Sequence, residues 1–415
     1  MAVFRPFRAI RPAPALAASI AALPYDTMNR EEAAERARGN PLSFLHIDKA
    51  EIDLPDEVDQ YDGRVYAAAA AKLQAMIAKG SFRQDPTAQF YIYRQTWKGR
   101  SQLGLVGCAS IDDYKNNVIK KHELTHPEKE ADRIRHVTAC NANTGPIFLT
   151  YRDTGGIAEL LEAWRASHAC EVSFTSGDVL QEIWPIGDPA LIQRLQASFA
   201  DLPALYIADG HHRCASAYHV GAQHRANCPG CTGEEEFNFF LAVAFPESQL
   251  AILDFNRVVR DTNRMDTDTL ISRISDLFSV EYFAPEGQPY HPEARHYFGM
   301  LLEGKWYRLR ARRGSFDEGN AIARLDVEIL QKNLLAPILA IRDPRRDHRI
   351  EFVGGIRGLE ELERRCREDM KLAFAMHPTT TQELMEIADS GNIMPPKSTW
   401  FEPKLLSGLF IHDLG

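Results

Sequence analysis

Apolar positions along the chain follow two rhythms, and each rhythm predicts one kind of element. A helical period runs through Tyr61 to Lys79, an alanine-rich stretch closed by Gly80, and through Ile157 to Ser167. Asn29 is placed to cap a helix over Glu31 to Arg38, which Gly39-Asn40-Pro41 stops. Asp188 is placed in the same way ahead of a helix over Pro189 to Phe199. The polar segment Lys120 to His136 suits a helix over its second half.

Strand patterns fill the gaps. Gln89 to Trp97 is aromatic-rich, turns at Lys98-Gly99-Arg100 and returns over Ser101 to Ala109, which predicts a hairpin. Further strands are expected at Ser43 to Ile47, Pro146 to Tyr151, Val172 to Phe174, Leu180 to Ile186 and Ala204 to Ala208. Phe237 to Phe245 and Gln249 to Leu253 read as another hairpin. Beyond residue 262 the order becomes helix, strand, strand, helix. The end is irregular over Met394 to Lys404, with a last apolar strand at Leu409 to Ile411. Hairpins mixed with helices predict an α+β fold with mixed sheets. With 415 residues, more than one core is expected. The division read from the pattern is a core over 1–261 and a smaller α+β region over 262–415 whose tail packs back on the core.

Composition removes several classes. A net charge of −9 with no long basic run argues against nucleic acid as a partner, while a small anion needs only a local positive pocket. No apolar stretch is long enough to cross a bilayer. Arg5, Arg8 and Arg11 precede an apolar run from Pro12 to Leu23, but Pro12 and Pro14 interrupt it, against an export signal. Seven scattered cysteines fit a reducing cytoplasm. Cys228 and Cys231 have metal or redox spacing, yet no second pair completes a zinc set, so two free thiols are expected there.

The densest chemistry is Asp209-Gly210-His211-His212-Arg213, between a strand and a helix. Glycine permits a tight turn, the helix start offers unpaired N–H groups, and Arg213 adds a planar fork for phosphate. The two histidines can donate, transfer protons or bind metal, and Asp209 can hold Mg²⁺. A plain helix cap remains the alternative. His122-Glu123-Leu124-Thr125-His126 matches the zinc-protease pattern, but Pro127 disfavours the helical geometry that pattern needs, and a solvated charge run is the plainer reading. In Met394 to Lys404, Lys397, Ser398, Thr399 and Lys404 are candidates to grip an anion, against an ordered tail. Tyr25 and Asp26 offer a substrate or metal contact, against an ordinary turn. Cys214 follows Arg213, but the small residues 214–217 point to close packing rather than a nucleophile. Serine-hydrolase, P-loop and Rossmann glycine motifs are absent.

Phe7-Arg-Ala-Ile-Arg-Pro12, Pro24-Tyr-Asp26, His122-Glu123 with Asp132-Arg133, Ala208-Asp-Gly-His-His-Arg213 and Pro396-Lys-Ser-Thr-Trp-Phe401 together resemble the prokaryotic family filed as domain of unknown function one-thousand-fifteen. That resemblance implies a cytoplasmic protein, often encoded beside serine-biosynthesis genes, and not a protease. A local resemblance covers Asp209 to Arg213, which is similar to the Asp-Gly-His-Thr-Arg of free serine kinases with the ParB/sulfiredoxin-like fold; His212 replaces the threonine. It implies a nucleotide-binding core of that type. His211 stands where sulfiredoxins carry their reactive cysteine, which argues against their chemistry.

The expected function is therefore a nucleotide-dependent phosphotransferase acting on a small hydroxyl compound, free L-serine first, with ATP or ADP as donor and Mg²⁺ as cofactor. Gly210, His211, His212, Arg213 and Lys397 are expected on the phosphates, and Tyr25, His122, Arg133, Ser398 and Thr399 on the substrate. Asp209, Glu123 and Asp26 are the candidate bases, His211 joins the catalytic set, and Asp209 is the candidate Mg²⁺ ligand. Two alternatives stay open: a metal-assisted phosphatase or hydrolase, and a non-catalytic nucleotide or amino-acid sensor.

Overall fold

The structure is a computed structural model that describes residues 2–153, 156–283 and 288–415. It has the α+β class with mixed sheets that the patterning predicts. The chain forms two units, Met1–Leu250 with Pro403–Gly415, and Ala251–Glu402. The second unit thus begins before strand Phe255–Val259, and the expected start at 262 falls inside it.

The first unit is organised by a nine-stranded sheet. Phe90–Trp97 and Arg100–Ser110 form the expected antiparallel hairpin at its centre. Phe239–Pro246 is buried along its whole length. It pairs antiparallel with Arg100–Ser110 and parallel with Ile147–Tyr151. The hairpin expected over 237–253 is therefore not formed: Ala251–Leu253 pairs instead with Trp400–Glu402 in the second unit. Ser43 to Ile47 is also not a strand. Leu45–Asp48 is a short helix whose buried residues join a separate helical core with Ala33, Val65, Leu73 and Met76. The apolar run after Arg11 is absorbed into that core through Ile20 and Ala22.

Local signals hold elsewhere. Asn29 and Glu32 form a reciprocal capping box ahead of helix Arg30–Ala37. The Asp188 carboxylate accepts from the Leu191 amide at 2.7 Å, opening helix Pro189–Ala200. Leu409 to Ile411 contributes only a bridge, Ile411 to Ile10, before strand His412–Asp413 pairs with Ala142–Asn143. Cys228 and Cys231 are joined in a disulfide rather than left as free thiols. No helix among the described residues is long and apolar enough to cross a membrane.

The second unit is built on a six-stranded sheet that includes Phe255–Val259, Tyr297–Leu302 and Leu372–Ala375. Helix Gly358–Glu368 packs Leu359 and Leu362 into a core with Val258 and Ala373.

Candidate functional site

Strand pairing in the first unit explains why two motifs far apart in sequence meet. Leu205–Asp209 runs parallel to Ile119–Lys120 and antiparallel to Ile147–Tyr151. Two parallel strands end at the same edge, so the residues after Lys120 and those after Asp209 emerge side by side. The segment before Ile147 arrives there from the opposite direction. A register irregularity between Ile207 and Asp209 re-aims the end of the strand.

Gly210 then turns the chain with φ +93°, a left-handed conformation costly for any residue with a Cβ, and helix His211–Ala226 begins at once. The first N–H groups of such a helix have no intrahelical acceptor and carry partial positive charge. Asp209 accepts from the Gly210 amide and from the Lys404 ammonium, both at 2.8 Å. Burial opposes ionisation of that carboxylate, but Lys404 and Arg213 outweigh it and hold Asp209 well below the usual carboxylate range. A carboxylate so held is a weak base, which counts against the proton-accepting role expected of it.

His211 is buried against His122, with ring centroids 4.5 Å apart in edge-to-face geometry. The His122 amide points at His211 Nε2 from 3.5 Å. Burial pulls both imidazoles down, that of His122 to about 4, so both are neutral at physiological pH. His212 Nε2 accepts from the His126 amide at 2.9 Å. His126 is extended, at φ −89° and ψ 125°, and precedes helix Pro127–Cys140. His122 and His126 therefore share no helix face, and the zinc-protease reading of their spacing fails.

Arg213 has one nitrogen on the Pro146 carbonyl at 3.1 Å, while its buried Nη2 has no hydrogen-bond partner. Gly145 makes room for it, since a Cβ there would stand 3.0 Å from Arg213 Nη1. Its guanidinium lies 5.4 Å from the centre of the Tyr25 ring, and that of Arg133 lies 4.0 Å from the same centre. Burial, and the charge of Asp26, push the Tyr25 phenol up, so it stays neutral. Arg133 is held by Asp132 at 2.7 Å, and Asp132 in turn accepts from Tyr66 at 2.9 Å.

Tyr25, Asp26 and Arg133 line a cavity of about 230 Å³ together with Asp48, Lys49 and His136. Asp48 is buried, accepts from Thr144 at 3.2 Å through one oxygen and leaves the other without a hydrogen bond. The His136 imidazole is brought down to about 4 by burial and by Arg133.

The structure therefore brings Asp209, Gly210, His211, His212, Arg213, His122 and Glu123 to one edge, and ties Arg213 to Arg133 through Tyr25. Lys397, Ser398 and Thr399 belong to the second unit. There, the Lys397 ammonium lies 5.5 Å from the Phe255 ring centre and the Ser398 hydroxyl donates to the Pro395 carbonyl at 2.6 Å. Cys214 is fully buried and burial drives its thiol well up, in keeping with a packing role. Asp48 and His136 were not marked by the sequence. His136 stands in a helix, Pro127–Cys140, crowded with other charged residues, and Asp48 ends a four-residue helix, so nothing local sets either apart.

The profile of the family described as "Protein of unknown function (DUF1015)" matches residues 4–328. No curated protein matches the chain. Among solved structures, the chain is similar to a free serine kinase in complex with AMP, at 14% identity and TM-score 0.35, over 70% of this chain and 85% of that one. It is also similar to C-terminally truncated SbnI from Staphylococcus aureus, at 12% identity and TM-score 0.38, over 73% and 85%. A conserved hypothetical protein from Pyrococcus furiosus shares 15% identity at TM-score 0.33, over 71% and 90%. These likenesses are too distant to carry an activity across.

Proposed function

This chain belongs to the DUF1015 family, and we propose that its member here is a nucleotide-dependent phosphotransferase acting on a small hydroxyl compound, with free L-serine the first acceptor to test. The observation that carries the reading is Arg213: a half-buried side chain whose buried Nη2 has no hydrogen-bond partner, beside the left-handed Gly210 and the start of a 16-residue helix. A cation left incomplete by its own protein, next to unpaired amides, suits phosphate oxygens. Phosphoryl transfer asks mainly for positioning and charge neutralisation, and this turn supports both.

In this reading Gly210, His211, His212 and Arg213 cradle the phosphates, with Mg²⁺ arriving on the nucleotide. The Asp209–Lys404 pair holds the turn in place. Glu123 or Asp26 takes the proton from the acceptor hydroxyl, and Arg133 with Tyr25 borders the acceptor cavity. Such a reaction belongs in the cytoplasm, where nucleotides are abundant.

Phosphorus NMR of the full chain with Mg²⁺, L-serine and either ATP or ADP tests it. New O-phosphoserine is expected, and is expected to vanish in Arg213→Ala while the circular dichroism of that variant stays native. Unchanged nucleotide affinity in folded Arg213→Ala would overturn the assignment.

A further inference from the structure

His122, Glu123 and His211 each offer a ligand atom, and these atoms lie within 4.8 Å of one another. Among the described residues this is the group of side chains so disposed. From this geometry we infer a binding site for a divalent transition metal, zinc foremost, held by two imidazoles and one carboxylate. The inference goes beyond the phosphotransferase reading and does not depend on it.

Three arguments support the site. The donor set is of the right kind: imidazole favours zinc and its neighbours, whereas Mg²⁺ prefers carboxylate and water oxygens. The geometry is close to closed. Tetrahedral zinc with bonds of roughly 2.1 Å separates its ligands by roughly 3.4 Å, so rotations of about an ångström bring the three atoms to bonding distance. The lone pair of His211 Nε2 meets only the long 3.5 Å contact from the His122 amide, a weak interaction for a metal to replace.

The arrangement differs from the pattern in the sequence. His126 is not a ligand; His211 takes the place that spacing would have given it. Three protein ligands leave a fourth position for water or a phosphate oxygen.

The test uses the full chain, stripped with EDTA, dialysed against Zn²⁺ and assayed by atomic emission. About one zinc per chain is expected. Loss of a ligand weakens affinity by at least as much as loss of an outer-sphere partner, so Glu123→Gln, which preserves size and shape, should weaken binding roughly tenfold or more. Cobalt loaded into the same protein should show the visible absorption of a four-coordinate nitrogen–oxygen site, a readout independent of turnover. Metal held equally well by Glu123→Gln would overturn the site. So would metal lost when Cys228→Ser and Cys231→Ser are combined, or no retained metal at all. Phosphotransferase activity without metal at this site would leave the function standing and remove only this inference.

Discussion

Arg11 and Arg213 are two arginines of the same unit, and they are completed to very different degrees. Arg11 binds Asp85 at 2.7 and 3.1 Å and Glu171 at 2.6 Å, lies over the Tyr91 ring, and Tyr91 in turn donates to Asp85 at 2.5 Å. Arg213 has one carbonyl, one distant ring, the charge of Asp209 without a hydrogen bond to it, and a nitrogen with nothing to bind. Arg11 is buried and carries a desolvation cost, while Arg213 is half-buried with one nitrogen shut off from water. For Arg11 the chain itself offsets that cost with two carboxylates. For Arg213 the chain supplies only the charge of Asp209 without a hydrogen bond to it, and in the proposed reading an anion makes good the shortfall. A charge that the fold pairs fully is architecture; one that it leaves short is where the proposed function looks for a ligand.

Four measurements break or sharpen this contrast. Arg11→Met should have the largest effect on folding, about 2–3 kcal/mol, because it strips half-buried Asp85 of its cation. The urea midpoint should fall, while nucleotide affinity of the folded fraction stays unchanged. A parallel loss of affinity would erase the distinction between the two arginines.

Acid should act on the histidine side of the site. In the unfolded chain a histidine takes up its proton near pH 6.5, whereas folded His122 and His136 resist until about pH 4. Between those values the unfolded state binds more protons, so stability falls as pH falls, by at most about 1.4 kcal/mol per pH unit for each group. Urea midpoints at pH 7.5 and pH 5 measure it. His122→Asn should flatten the slope, and an equal slope in that variant would exclude His122 as a source.

Gly210→Ala comes next, at about 1–2 kcal/mol. A Cβ there would meet Ile147 Cα at an ordinary 3.6 Å, so the cost is backbone conformation rather than collision. The variant should lose stability and anion binding together. Arg213→Ala should show the smallest stability change, within about 1 kcal/mol, because loss of its one charge-assisted hydrogen bond, to the Pro146 carbonyl, is offset by release of an incompletely satisfied charge. A loss as large as that of Arg11→Met would mean that Arg213 is structural too.

Much of this was legible in the sequence, and the boundary of legibility has a physical basis. Helix Ile157–Ser167 and the caps at Asn29 and Asp188 depend on residues within a turn or two of one another, and they appear where patterning puts them. Strand Phe239–Pro246 is as apolar as expected, but its partners lie more than ninety residues away, at Arg100–Ser110 and Ile147–Tyr151. No local signal chooses between those partners and a hairpin. Leu45 to Asp48 is too short for its period to separate helix from strand, and packing against the neighbouring helices decides. The same limit applies to the site. Each motif could be read separately, but the apposition of His122 with His211 follows from two residues of parallel pairing, Ile119 with Leu205 and Lys120 with Tyr206. The partnership of Asp209 with Lys404 spans 195 positions and has no signature at either end.

That partnership has a consequence for how the protein comes into being. Lys404 belongs to the segment Pro403–Gly415, which returns to the first unit after the whole second unit has intervened in sequence. A ribosome delivers residues in order, and early domains ordinarily begin folding before later ones exist. Here the nascent first unit must wait through about 150 further residues for the cation that neutralises Asp209 and for the strand that pairs with Ala142–Asn143. Until then Asp209 lacks its hydrogen-bonded cation, and under the proposed function a half-made chain would present a more negative turn to the anion than the finished one does.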